Sequence, residues 1–268
     1  MLKNIIFLII FVFLSLIFMR MFELRSIFYP EKKIEFTPSS QGLDYEDVFF
    51  MTEDGLKLNG WFIPANNPQA AVLYFHGNAG NISHRIEAAR LFNEKNLDFF
   101  IVDYRGFGMS QGHPFEKGTY LDALAAYEYL VKVKGIPAEK IVIYGKSLGT
   151  AVAIDLASKI RAGALICESG LTSTADLARD IYKFIPLWLF VTQKYDSLKK
   201  VGKIDIPKLF IHSKNDEIIP FRHGKRLFEA AGEPKEFYVM QGGHNDAFYI
   251  YSDECMQRIE NFLRKWIK

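Results

Sequence analysis

The segment Gly145-Lys146-Ser147-Leu148-Gly149 stands directly after the apolar run Lys140–Tyr144 and opens a helical stretch reaching Ile160. No other feature of the chain narrows its possible folds as much. A serine hydroxyl is a poor nucleophile unless the backbone holds it exposed beside a base. A tight strand-to-helix bend does this, and glycines two residues either side let the chain cross closely without side-chain clashes. The helix start also presents free N–H groups to a developing negative charge. The bland alternative is a glycine-rich turn whose serine only caps the helix.

The residues around this bend alternate between two periodicities. Asp47–Thr52 and Leu56–Pro64 are expected to be strands joined by a turn at Glu53-Asp54-Gly55. Ala70–Phe75, Leu97–Asp103, Lys140–Tyr144, Ala162–Cys167, Ile206–His212 and Glu236–Met240 are short apolar runs, as expected of strands. Helices are expected over Ser83–Lys95, Glu116–Lys134, Ser147–Ile160, Phe221–Ala231 and Asp253–Ile267. Strands alternating with helices imply an α/β fold with a mainly parallel sheet flanked by helices. In such sheets the site is built by loops at the carboxyl ends of the strands.

The suspicious residues all follow strands. His76-Gly77-Asn78-Ala79-Gly80-Asn81 comes after Phe75, where one backbone donor of an oxyanion hole is expected. That donor is assigned to Asn78 and its partner to Leu148, while His76 is given a structural role. Of six histidines, His244 alone sits in a glycine turn after the final strand, which makes it the candidate base. His84 and His113 lack a preceding strand, apolar neighbours bury His212, and His223 lies on a helix. The acid should follow the penultimate strand, where Asp216 and Glu217 stand side by side. Asp216 is the candidate, with Glu217 the fallback; Asp103 precedes the serine and is read as structural. The candidate catalytic set is therefore Ser147, Asp216 and His244. No cofactor is expected, and no second histidine stands at ligand spacing from His76 to suggest a metal.

Composition sets the remaining bounds. A net charge of +2 leaves no excess to attract nucleic acid. Cys167 and Cys255 make neither a disulfide framework nor a thiolate cluster. From Ile5 to Met19 every residue but Ser15 is apolar, which as a helix spans roughly 22 Å, extended to about 27 Å if Arg20 snorkels. Bulky residues follow the run where a signal peptidase needs small ones, so an uncleaved single-pass membrane anchor is expected over residues 1–28. Arg20, Arg25, Lys32 and Lys33 against Lys3 favour a cytoplasmic catalytic domain, but Glu23 and Glu31 blur the count and leave the side open. Residues 29–44 read as a linker and 45–268 as the catalytic domain.

Five ordered segments, HGNAGN, DYRGFGMSQG, GKSLG, SKNDEIIP and GGHND, resemble the Bem46-like α/β hydrolases over about residues 45–268. The resemblance implies an α/β-hydrolase fold, a triad at Ser147, Asp216 and His244, and an oxyanion loop at His76 to Asn78. It also implies a serine hydrolase; some members are thioesterases that remove palmitate from proteins and are attached by a cysteine-rich acylated amino terminus, where this chain has an apolar helix.

Residues 170–203 form the only segment free to cover the site. Ile181, Phe184, Ile185, Leu187, Trp188, Leu189 and Phe190 make it apolar, either a short helix packed on the core or a wall for an acyl chain. The function expected is hydrolysis of an ester or thioester, with a small or lipid-like acyl substrate. Amide hydrolysis or acyl transfer by the same triad, and an inactive membrane-anchored scaffold, are the alternatives. Oligomeric state leaves no mark in the sequence.

Overall fold

Residues 2–267 are described by the computed structural model. Met1 and Lys268, the outer ends of the predicted anchor and catalytic domain, lie outside the described residues.

Solid apolar runs have to be covered on both faces, and one eight-stranded sheet does this. Its strands are β1 (Glu46–Met51), β2 (Lys57–Ile63), β3 (Ala70–Phe75), β4 (Leu97–Val102), β5 (Ile141–Lys146), β6 (Ala164–Glu168), β7 (Lys208–Ser213) and β8 (Lys235–Met240). The spatial order is β1-β2-β4-β3-β5-β6-β7-β8. The pairs β1/β2 and β2/β4 are antiparallel, and every other neighbouring pair is parallel. All residues of β3 to β7 are buried.

The helices are α1 (Leu2–Ile27), α2 (Ile86–Asn93), α3 (Glu116–Glu128), α4 (Leu148–Ala157), α5 (Thr174–Ile181), α6 (Leu198–Val201), α7 (Arg222–Ala230), α8 (Ala247–Ile250) and α9 (Ser252–Trp266). Successive residues of β5 serve the two faces, as the period of two requires. Ile141 and Ile143 enter a core with α3, α4 and α7, whereas Val142 and Tyr144 enter one with α2 and α9. The expected α/β-hydrolase architecture is therefore the one observed.

Two expected helices differ in their ends. The stretch 83–95 begins as a 3-10 turn, Ile82–Arg85, capped by the Asn81 side chain, and 116–134 finishes as a π turn, Tyr129–Val133. Apolar spacing reports which side faces the core, not the hydrogen-bond register, so such turns leave little trace in sequence.

The amino-terminal region departs more. Helix α1 continues eight residues beyond the apolar run Ile5–Met19, to Ile27, and Lys3–Ile27 is long and apolar enough to cross a membrane. The segment expected as a linker is fastened down. Tyr29 and Pro30 pair in parallel with Ala79 and Gly80, the Asn81 amide donates to the carbonyls of Glu31 and Lys33, and Pro38 is buried. Phe28 is buried in the core, its ring edge-on to Tyr195.

The loop after β4 is held by charge. Arg105 is almost fully buried, donates through Nε to Asp122 of α3 at 2.9 Å, and reaches Asp54 in the β1–β2 turn at 2.8 Å. The backbone N–H of Arg105 donates to the other Asp122 oxygen at 2.8 Å. Removing one member of a buried pair strands the other charge. Asp122→Ala should therefore destabilise the protein by about 3 kcal/mol, read as a lowered midpoint in guanidinium denaturation.

Candidate active site

Strand β5 ends and helix α4 begins with a single residue between the two directions, Ser147, at φ 55° and ψ −121°. A non-glycine residue held there stores strain on the order of 1–3 kcal/mol and persists only where its surroundings fix it. The Ser147 N–H donates to the Glu168 carbonyl at 2.8 Å, and the Thr150 hydroxyl reaches the carbonyls of Gly145 and Glu168. The flanking glycines are required by contact. A Cβ on Gly145 would lie 2.4 Å from the Gly149 carbonyl oxygen, and one on Gly149 would lie 2.1 Å from that of Phe75. Helix α4 therefore sits against the end of β3, which brings the loop after β3 to the serine.

The structure brings three of the predicted residues into one hydrogen-bonded chain. His244 Nε2 lies 2.9 Å from Ser147 Oγ, and His244 Nδ1 lies 2.7 Å from Asp216 Oδ2. All three side chains are buried. The other Asp216 oxygen accepts the N–H groups of Ile218 and Ile219 at 3.0 and 2.7 Å. Burial opposes charge on Asp216, but the His244 hydrogen bond and these N–H donors outweigh it and hold the carboxyl below the usual carboxylate range. Glu217, the fallback acid, does not touch the imidazole; it accepts the backbone N–H of His244 at 3.0 Å.

Asn78 and Leu148 lie beside Ser147 in the wall of one cavity. Neither backbone N–H has an acceptor among the described residues. The loop carrying Asn78 is propped from below. Tyr104 donates to the His76 carbonyl at 2.9 Å, His76 Nδ1 donates to the Gly77 carbonyl at 2.7 Å, and Asp103 accepts the Ile82 N–H at 3.0 Å. His76 Nε2 stands 3.5 Å from Asp103, whose buried carboxyl is pushed up by desolvation. His76 and Asp103 thus both contact the loop that carries Asn78. His84 caps a turn through Asn81, and His212 donates to the Ile219 carbonyl at 2.8 Å; neither is hydrogen-bonded to Ser147.

Several residues at the site carry no sequence motif that would single them out. Lys146 is nearly buried and pairs with Glu168 at 2.9 Å, and Tyr144 donates to the same carboxylate at 2.6 Å. Burial works to lower the Lys146 pKa, yet Glu168 more than offsets it and the ammonium is stabilised. This pair cross-links β5 to β6 beneath the bend. A second hydroxyl–imidazole–carboxylate chain joins Thr172, His223 and Asp180, with distances of 2.8 and 2.7 Å. Its threonine is fully buried and also donates to Asp176, so the chain ties the segment 170–203 to α7. Among the described residues no cluster could hold a metal ion.

Ser147 and His244 open into a cavity of about 1240 Å³, most of whose lining is apolar. Leu177, Ile181, Ile185, Leu187 and Phe190 of the covering segment form one wall. A further part of the lining was not anticipated: Leu16, Phe18, Met19, Phe22 and Ile27 of α1 border the same space.

The fission yeast (Schizosaccharomyces pombe) protein bem46 is 35% identical over 238 residues, 85% of this chain and 79% of that protein. The chain belongs to the Bem46-like α/β hydrolases. Another relative, the α/β hydrolase domain-containing protein WAV2 of Arabidopsis thaliana, is 31% identical over 259 residues, covering 88% of this chain and 83% of its own length. The profile of a family described as serine aminopeptidase, S33, matches residues 66–195, which include Ser147 and the His76–Asn78 loop but stop before Asp216 and His244. An esterase from Pyrococcus furiosus has the same fold, with a TM-score of 0.76 at 20% identity over 90% of this chain and 98% of the other. This Bem46-like chain is thus a hydrolase by family, and the cavity wall supplied by α1 is its own structural observation.

The close seat of α4 on β3 can be tested directly. Gly149→Ala should cost about 3 kcal/mol or more, because the contacted atoms are backbone and have little freedom to move. Thermal denaturation of the full chain would show the loss.

Proposed function

We propose that the protein is a membrane-anchored serine hydrolase that cleaves carboxylic esters or thioesters of apolar acyl groups through an acyl-enzyme. The observation that carries this reading is the unbroken chain Ser147–His244–Asp216 opening on an apolar cavity. Ser147 Oγ attacks the acyl carbonyl carbon while His244 Nε2 takes its proton. The negative charge on the carbonyl oxygen is met by the Asn78 and Leu148 N–H groups, each worth about 3 kcal/mol of transition-state stabilisation. The C–O or C–S bond then breaks, and the imidazolium returns its proton to the leaving alcohol or thiol. Water, deprotonated by His244, attacks the acyl-serine; the acyl C–Oγ bond breaks, the imidazolium returns that proton to Ser147 Oγ, and the acid leaves. Asp216 stays ionised throughout, which keeps the imidazole in the tautomer that can accept the serine proton.

The exposure of α1 supports the anchor. The apolar residues Ile5 to Leu14 all stand free of the domain, Phe7 at 72% exposure among them. Such a surface is compatible with lipid and not with water.

The match to a serine aminopeptidase family favours a second reading, hydrolysis of an amide at the same serine. An aminopeptidase must also meet a substrate ammonium, and both glutamates lining this cavity are already engaged, Glu23 by Arg20 and the Thr192 and Gln193 N–H groups and Glu87 by Arg90. The ester reading is therefore preferred, and comparing p-nitrophenyl octanoate with an aminoacyl p-nitroanilide separates the two.

Ser147→Ala and His244→Ala should each lower turnover of p-nitrophenyl butyrate by ~10⁴ or more, with far less than additive loss when combined. Asp216→Asn should cost a similar factor by favouring the wrong tautomer, whereas Glu217→Gln should keep most of the activity. A fluorophosphonate probe should label the folded wild-type chain at Ser147; a folded chain that takes up no label would overturn the assignment. Octanoate should be cleaved in preference to acetate, and the reverse preference would count against an acyl-chain cavity.

A further inference from the structure

We propose that the catalytic cavity opens sideways at the membrane interface, so that the acyl chain is drawn from a lipid lying in the bilayer and not from a solute. The proposal rests on the esterase reading above and names its substrate class, an acyl ester resident in the membrane.

The first observation is that one helix does two jobs. The amino-terminal part of α1 is apolar and free of the domain, while Leu16, Phe18, Met19 and Phe22 help to enclose the space in front of Ser147. Leu16 to Met19 belong to the apolar run itself, before its first charge at Arg20. If that run sits in hydrocarbon, the side chains facing the cavity reach down to the level of the lipid chains. A wall shared between bilayer and active site is a route between them.

The second observation is the outer surface of the covering segment. Phe184 is 97% exposed and Leu189 is 70% exposed, and neither lines the cavity. Ile185 and Phe190 are more than half exposed as well. Beside them stand exposed Lys183 and half-buried Trp188, whose ring lies 5.5 Å from the Arg179 guanidinium. Large apolar side chains mixed with tryptophan and basic residues are the composition of a surface seated among lipid headgroups.

The third observation fixes these two surfaces together. Glu23, one turn beyond the end of the apolar run, accepts the N–H groups of Thr192 and Gln193 at 2.6 and 2.7 Å and the Thr192 hydroxyl at 2.6 Å. Arg20 pairs with Glu23 at 2.9 Å and also reaches Thr192. The carboxyl end of the covering segment is thus clasped to α1 where the helix leaves its apolar stretch. The occupant this surface fits is the bilayer proposed to hold α1, because the clasp fixes the exposed apolar segment to the end of the apolar run.

The test uses the full chain reconstituted into dioleoylphosphatidylcholine vesicles, with 4-methylumbelliferyl oleate in the membrane and p-nitrophenyl butyrate in the water. The double variant Phe184→Asp, Leu189→Asp should keep butyrate turnover within about twofold and lose about tenfold or more on the membrane oleate. Equal turnover of oleate by variant and wild type would overturn lateral access. Independently, brominated phosphatidylcholine should quench tryptophan fluorescence in the wild type, and Trp188→Phe should remove most of the quenched fraction. An unquenched Trp188 overturns the proposal even if the double variant loses both activities through misfolding. A wild-type chain that cleaves butyrate but not vesicle oleate also overturns it, whereas one that cleaves neither ester overturns the esterase reading instead.

Discussion

Two backbones touch where α4 leaves the sheet, and the rest of the site depends on that contact. Gly149 faces the carbonyls of Phe75 and His76 at a separation that no side chain tolerates. The closeness places the loop from His76 to Asn81 over the start of α4, so that the Asn78 and Leu148 N–H groups border the same space as the Ser147 hydroxyl. Positive φ at Ser147 turns the hydroxyl out of the helix and towards His244. The strain is held by bonds from two neighbouring strands: Glu168 of β6 accepts from the serine backbone, and its side chain pairs with Lys146 of β5. A catalytic group placed loosely by even an ångström loses much of its effect, which gives this packing its importance.

Much of this was legible before any coordinates. The solid apolar runs Ala70–Phe75 and Lys140–Tyr144 read as strands covered on both faces, and a glycine turn after the final strand singled out His244 among six histidines. The bond that distinguishes Asp216 from Glu217 was a matter of reach, and the structure gives each a separate partner, the imidazole and the backbone N–H of the same histidine. Less legible were features that depend on distant segments meeting. Lys146 and Glu168 lie 22 positions apart and meet because β5 and β6 are adjacent in register, which no local pattern announces. Arg105 lies within a motif shared with the family, yet its partners, Asp54 and Asp122, come from either side of it in sequence.

The Thr172–His223–Asp180 chain marks the limit of arguing from hydrogen bonds alone. Its distances match those of the chain at Ser147. What separates the two is access: Thr172 is sealed and Ser147 borders a cavity with two unpaired N–H groups beside it. Chemistry requires a place for the reacting carbonyl as well as a proton relay. The threonine chain serves as a peg for the segment that roofs the cavity.

The side chain of Asn78 has a further implication. While Asn78 lines the cavity, its side-chain amide donates to the Ile27 carbonyl at 2.8 Å and so finishes the last turn of α1. Its own carbonyl receives the Tyr29 N–H at 2.9 Å. The apolar helix α1 and the loop that would cradle the oxyanion are therefore stitched at one residue. Cutting the chain at Lys32 to obtain a soluble fragment would take away one side of the substrate chamber and untie the loop at that stitch, so the fragment's kinetics would describe an altered enzyme. On the proposed reading, the anchor is not a leash holding a self-sufficient catalyst near the membrane; it is masonry of the catalyst itself.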